Sequence, residues 1–282
     1  GAHAAGAGPR AGRGAQDLAL ALRALARGGS PAAGSVETCV QECYACVSEF
    51  SPQGLAMVCV ALARLRGAAP NGSLGEFASA AANGLVERPE AFNEQDVSNI
   101  ANALARSRSL APAFFQQLSA FLEGRAPLAE FFTSQGLANT LNAYAAFGLG
   151  LTRCLQGELA AAAAQHAAAF SAPQLANTLN SLARLQLGAA LEGDPSRWHR
   201  AVRSRLPDFS VQGLSNVFNA YARLEVFDEE LLTAAAERLG ERQPSEFGEQ
   251  ELANLLNACA RLGFAHAGLL AFLEARVLGP LL

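Results

Sequence analysis

The feature that most restricts the fold is a phenylalanine that returns at a nearly fixed distance. Phe50, Phe92, Phe132, Phe170, Phe209 and Phe247 are 42, 40, 38, 39 and 38 residues apart, and each opens a similar segment. Residues 132–148 read FTSQGLANTLNAYAAFG, 209–224 read FSVQGLSNVFNAYARL and 247–263 read FGEQELANLLNACARLG. A degenerate copy, QDLALALRALAR at 16–27, lies 37 residues before its counterpart at Gln53. Seven first helices result, and second helical runs follow, as at 113–123, 151–168, 228–241 and 265–277. Two helices in every 37–42 residues is the signature of a solenoid whose units stack on their neighbours. The predicted fold is all-α: an α-solenoid of about seven helix-pair repeats filling 15–282 as a single domain, behind a flexible, acid-free arm over 1–14 that resembles a transit-peptide remnant. Alanine, the best helix former, dominates, and 51% apolar against 16% charged residues leaves ample material for a core.

Local physics writes each helix start. After the phenylalanines come Ser51, Asn93, Thr133, Ser171, Ser210 and Gly248, all good N-cap residues, with Pro52 at a first helical position. Each Phe is spaced to staple onto the residue five later: Leu55, Val97, Leu137, Leu175, Leu214 or Leu252. Within the third Phe-led repeat, Leu137, Leu141, Tyr144 and Gly148 form the expected buried stripe, and Ala138 and Ala145 are small enough to admit a neighbouring helix closely.

A polar stripe runs opposite. Its first place holds Gln53, Gln95, Gln135, Gln212 and Gln250, with Pro173 in the fourth copy shifting the amide to Gln174. Then come Asn99, Asn139, Asn177, Asn216 and Asn254, and after them Asn102, Asn142, Asn180, Asn219 and Asn257. The last place is Arg64, Arg106, Arg184, Arg223 and Arg261, with Ala146 the exception. Asparagine inside a helix costs about 0.6 kcal/mol against alanine, so something offsets these ten. One reading has the amides meeting nucleotide edges or sugars while Arg holds phosphates. The other is a ladder in which each amide satisfies the backbone of the next repeat, and the Arg column faces helix dipoles.

All 21 basic residues are Arg, which removes chemistries that need Lys, such as a P-loop or a Schiff base. GC-rich coding accounts for such usage, and so does planar recognition of phosphate. The net charge of −4 argues against a nonspecific nucleic-acid coat, though not against a local basic groove. The densest basic segment is RWHRAVRSR at 197–205, where Arg197, Arg200 and Arg203 share roughly one face beside Trp198, the only Trp. It reads either as a phosphate-and-stacking patch or as a solvated face with Trp198 packed inward. Cys39, Cys43 and Cys46 have radical-SAM spacing but sit at helical positions, where small buried residues are the natural reading. Six scattered cysteines suggest a reducing compartment. The four histidines lack partners at metal-ligand spacing, and no nucleophile elbow or paired carboxylate stands out. No enzyme, metal, cofactor or membrane span is expected.

The unit F-x-x-Q-G-L-A-N-T-L-N-A-Y-A-R-L-G, repeated over nearly the whole chain, resembles the octotricopeptide and heptatricopeptide repeats. More distantly it is similar to the helical repeats of FAST-kinase-like proteins with a RAP domain. The octotricopeptide core usually carries Trp where Asn102, Asn142, Asn180, Asn219 and Asn257 stand, so the chain is nearer the heptatricopeptide form. No RAP-like segment follows Leu262, so nuclease chemistry is not expected. The resemblance implies an organellar RNA-binding solenoid in RNA stabilisation, processing or translation, or on ribosomal RNA within a mitochondrial ribosome. Its partners would be single-stranded or ribosomal RNA, its compartment the mitochondrion or alternatively the plastid. The competing class is a protein-docking scaffold among organellar ribosomal or other assembly proteins. The first repeats lean that way, since Leu20, Met57 and Val60 replace Asn there. The RNA class expects the Arg column and 197–205 along one positive surface, whereas the scaffold class expects satisfied Asn ladders.

Overall fold

The computed structural model describes residues 14–29, 32–192 and 194–277; residues 1–13, most of the expected arm, lie outside the described part. Among the described residues there are sixteen α-helices and no strand. In chain order they are α1 (Ala15–Arg27), α2 (Ala33–Ala45), α3 (Pro52–Arg64), α4 (Ser73–Glu87), α5 (Glu94–Ser107), α6 (Pro112–Glu123), α7 (Leu128–Phe131) and α8 (Ser134–Phe147). Then follow α9 (Arg153–His166), α10 (Ala172–Arg184), α11 (Ala189–Glu192), α12 (Pro195–Arg203), α13 (Val211–Leu224), α14 (Glu229–Gly240), α15 (Glu249–Leu262) and α16 (Ala267–Val277). The seven expected first helices are α1, α3, α5, α8, α10, α13 and α15, and the short α7 and α11 are additions between repeats. No described helix is long and apolar enough to cross a membrane.

The chain divides into two compact units, one ending at Leu118 and the other starting at Ser119. In the first, α1 packs on α3 and α3 on α5, while α2 and α4 pack behind them. In the second, α8, α10, α13 and α15 pack in succession as one layer, and α12, α14 and α16 follow one another in a second layer. Each unit is thus an α-solenoid: first helices against first helices, second against second.

The helix entries are built as the sequence predicts. Ser51, Asn93, Thr133, Ser171, Ser210 and Gly248 are all N-cap residues. The Ser51 and Ser210 hydroxyls each accept the amide N–H three residues on at 3.1 Å, and Asn93 and Asp96 exchange reciprocal bonds of 3.0 and 3.2 Å. All six phenylalanines are buried. Two of the rings, those of Phe50 and Phe209, do something that the spacing did not predict: each covers a glycine at the third helical position. A Cβ added at Gly54 would lie 2.9 Å from Phe50 Cδ1, and one at Gly213 would lie 3.0 Å from Phe209 Cδ1. Gly→Ala normally favours a helix by about 1 kcal/mol. At Gly213 the overpacking wins, and Gly213→Ala is expected to lower stability by about 1–2 kcal/mol. Gly157→Ala, where nothing lies within 4 Å of the added methyl, is expected to raise it. Urea melts of the two variants check this, and equal shifts would contradict it.

Five of the seven first helices, α5, α8, α10, α13 and α15, also end alike. Arg108, Gly148, Gln186, Glu225 and Gly263 all take left-handed backbone, with φ between 51° and 63°. The next residue's N–H returns to the carbonyl five back, as from Leu149 to Tyr144 at 3.2 Å and from Phe264 to Cys259 at 3.0 Å. Gly148 is therefore an exposed helix stop rather than the expected member of the buried stripe, whereas Leu137, Leu141 and Tyr144 are buried as predicted. Ala138 and Ala145 are buried as well, on a helix that packs against α10.

A second regularity locks repeat to repeat. Four or five residues before the next phenylalanine, a basic side chain reaches a carbonyl of the preceding connection. Arg88 Nη2 donates to Phe50 O at 2.8 Å, Arg205 Nη2 to Ala168 O at 2.5 Å and Arg242 Nη2 to Phe209 O at 2.6 Å. His166 Nε2 lies 3.0 Å from Ala129 O in the same role. In the three arginine cases a charged donor on a carbonyl of the connection fixes the spacing of the stack.

Candidate functional site

The polar stripe lies on the first-helix layer of each unit. In the first unit Arg64 ends α3, while Asn99, Asn102 and Arg106 follow one another on α5. In the second, Asn139 and Asn142 lie on α8. Asn177, Asn180 and Arg184 lie on α10, Asn216, Asn219 and Arg223 on α13, and Asn254, Asn257 and Arg261 on α15. Because α8, α10, α13 and α15 pack side by side, their amides and guanidiniums come into parallel columns.

What these side chains touch separates the two readings of the stripe. Asn177 and Asn257 are exposed and the other eight asparagines are half-buried. None of the ten side-chain amides forms a hydrogen bond with a described residue, so the ladder that would satisfy the next repeat's backbone is not built. Their polar atoms are also not among the buried, unpaired ones, so water reaches them. The five guanidiniums of Arg64, Arg106, Arg184, Arg223 and Arg261 are exposed and have no ion pair or hydrogen bond among the described residues. They stand in the last helical turn, where a cation also meets the helix dipole. With no side-chain hydrogen bond to lose among the described residues, Asn142→Ala is expected to leave the melting temperature unchanged or slightly raised through helix propensity. A clear drop on thermal denaturation would restore the ladder.

In the first unit the stripe closes into a groove of about 380 Å³, which gathers Arg23, Arg27 and Arg64 with Gln53, Gln95 and Asn99. Arg64 and Arg106 also flank a smaller crevice with Asn102. Arg27 and Arg23 were missed by the column count. Their signal was present, since both fall 37 residues before the corresponding places at Arg64 and Val60.

The basic segment on α12 behaves differently. Arg197 Nη1 donates to Ala164 O at 3.1 Å, Arg200 Nη1 to Ser196 Oγ at 2.8 Å, and Arg203 pairs with Glu230 at 2.9 Å and Asp228 at 3.7 Å. Asp194 lies 3.7 Å from both Arg197 and Arg200. Trp198 is fully buried, its Nε1 donating to Ala190 O at 2.9 Å and its ring lying over Phe170. It is a core residue and not a stacking platform. Asp228 also caps α14 and lies 2.7 Å from His199 Nδ1. Burial holds His199 below the ordinary histidine pKa despite that carboxylate. Thus α12 is tied into the second layer with its charge balanced, and it does not join the first-layer arginines in the single stripe expected of both. An open groove remains beside Arg197, Arg200 and Arg205.

Cys39 and Cys43 are buried on α2, as their spacing implied, and Cys46 is half-buried at its end. Burial pushes the Cys59 thiol up to about 12, the value of an inert core residue. Among the described residues no group of three or more His, Cys, Asp or Glu is placed to hold a metal ion.

Residues 37–281 match the family described as RESC6: RNA-editing substrate-binding complex 6 protein. No curated protein matches the chain.

Proposed function

Because the chain belongs to the RNA-editing substrate-binding complex 6 protein family, we propose that it is a non-enzymatic RNA-binding scaffold of an RNA-editing assembly, working in the mitochondrion. The observation that carries this reading is found in each unit by itself: exposed arginines with no hydrogen bond or ion pair among the described residues, Arg64 and Arg106 in the first and Arg184, Arg223 and Arg261 in the second, beside open asparagine amides. Guanidiniums free of protein partners suit phosphate oxygens, and amides suit sugar hydroxyls and base edges of a single strand. The sameness of the amides from repeat to repeat fits backbone and shape contact more than a base code. Arg197, Arg200 and Arg203 contribute second, for each already spends part of its donors and charge on the protein.

The family name denotes a complex, so protein neighbours belong to the same reading, and the ribosome is replaced by an editing assembly as its setting. The octotricopeptide and heptatricopeptide assignment keeps the motif as its support, as does the mitochondrial compartment. Ultraviolet crosslinking in native organelles, followed by purification of the protein, tests this. RNA is expected in the crosslinked fraction together with protein partners. Partners without RNA would leave the protein-docking scaffold as the function.

A further inference from the structure

The first unit departs from the amide pattern at one spot. Where later repeats carry both asparagines, α3 presents Met57 and Val60 and α1 presents Leu20 and Arg23. Ala56, Met57 and Val60 thereby give the 380 Å³ groove an apolar floor, and Arg23, Arg27 and Arg64 give it a positive rim. All three arginines are exposed and without a hydrogen bond or ion pair among the described residues. Asp96, the one carboxylate lining the groove, is buried, accepts the Asn93 backbone N–H at 3.2 Å and forms no ion pair with the rim, and one carboxylate against three guanidiniums leaves the groove net positive.

We infer that this groove holds one unstacked nucleotide of an RNA strand, its base against Met57 and Val60 and its flanking phosphates on Arg27 and Arg64. This rests on the RNA reading above and adds a defined binding point to it. A base has a flat apolar face that a thioether and a branched side chain cover without needing hydrogen bonds, and such contact tolerates any base. Phosphates on either side need cations on both helices, and Arg27 and Arg64 occupy corresponding places on the adjacent α1 and α3. The volume lies near the lower end for small-ligand sites, which suits a single nucleotide. An acidic peptide would use the same rim but leaves the flat floor without a matching face. The groove therefore grips RNA by stacking and charge, whereas the columns further along offer amide edges.

The test uses the full chain and a fluorescein-labelled, unstructured 12-nucleotide RNA containing 4-thiouridine. Crosslinks are expected in the tryptic peptide 28–64. Met57→Ser with Val60→Ser is expected to weaken that RNA about fivefold or more, while leaving an all-abasic strand of the same length unaffected. Arg27→Glu with Arg64→Glu should weaken both strands. Unchanged affinity of the Met57/Val60 variant, with crosslinks only outside 28–64, would overturn the groove while leaving RNA binding standing. A glutamate-rich peptide that binds as tightly through the same residues would also overturn it, in favour of a protein occupant. No binding of any RNA by the intact chain would remove the underlying reading itself.

Discussion

Trp198→Ala is expected to cost about 3–5 kcal/mol of stability in the second unit, the largest single-residue effect in the molecule. The indole is fully buried, lies nearly parallel to the Phe170 ring at 6.5 Å between centroids, and joins α12 to α11 through Ala190 O. Its removal leaves a cavity and an orphaned carbonyl at once. Trp198→Phe keeps most of the volume and loses the Nε1 bond, so about 1–2 kcal/mol should go instead. Chemical denaturation followed by circular dichroism measures both. As the only Trp, Trp198 also supplies its own probe, because wild-type fluorescence should be that of an indole shielded from water. An alanine variant as stable as wild type would mean that the side chain is solvated after all and available to stack on RNA.

The second large effect concerns binding and not folding. Arg184 and Arg223 close the adjacent helices α10 and α13, and neither touches another described side chain through a polar contact. Reversing both charges, in Arg184→Glu with Arg223→Glu, is expected to weaken single-stranded RNA on the order of tenfold to a hundredfold at physiological salt. The melting temperature should hardly move, since no native ion pair is broken. The same reversal at Arg203 and Arg205 should do the opposite. Those side chains hold Glu230, Asp228 and Ala168 O, so stability falls first.

The contrast shows which parts of this molecule could be read from its sequence. Helix entries were legible at Ser51, Asn93, Thr133, Ser171, Ser210 and Gly248, because capping depends on residues three apart in the chain. The polar stripe was legible because helical periodicity alone puts those residues on one face. Gly148 was misread for a related reason: the period continues to it, but a left-handed stop ends the helix before its place in the stripe matters. The locks made by Arg88, Arg205 and Arg242 were invisible, since each joins residues 33–38 apart and nothing in the local pattern marks the acceptor carbonyl. A row of arginines in sequence likewise does not reveal which are spent on the fold. Only three-dimensional packing divides the engaged ones on α12 from the unengaged ones that end the first helices.

The central claim is that the first-layer arginines are the RNA contacts, and counterion release tests it most directly. The affinity of the intact chain for a single-stranded RNA should be measured across a range of salt concentrations, beside Arg184→Ala with Arg223→Ala. Each phosphate contact contributes roughly 0.7 to the slope of log affinity against log salt for a single strand. Loss of both should therefore flatten the slope by about 1.4 relative to wild type. A variant with the wild-type slope would contradict the account.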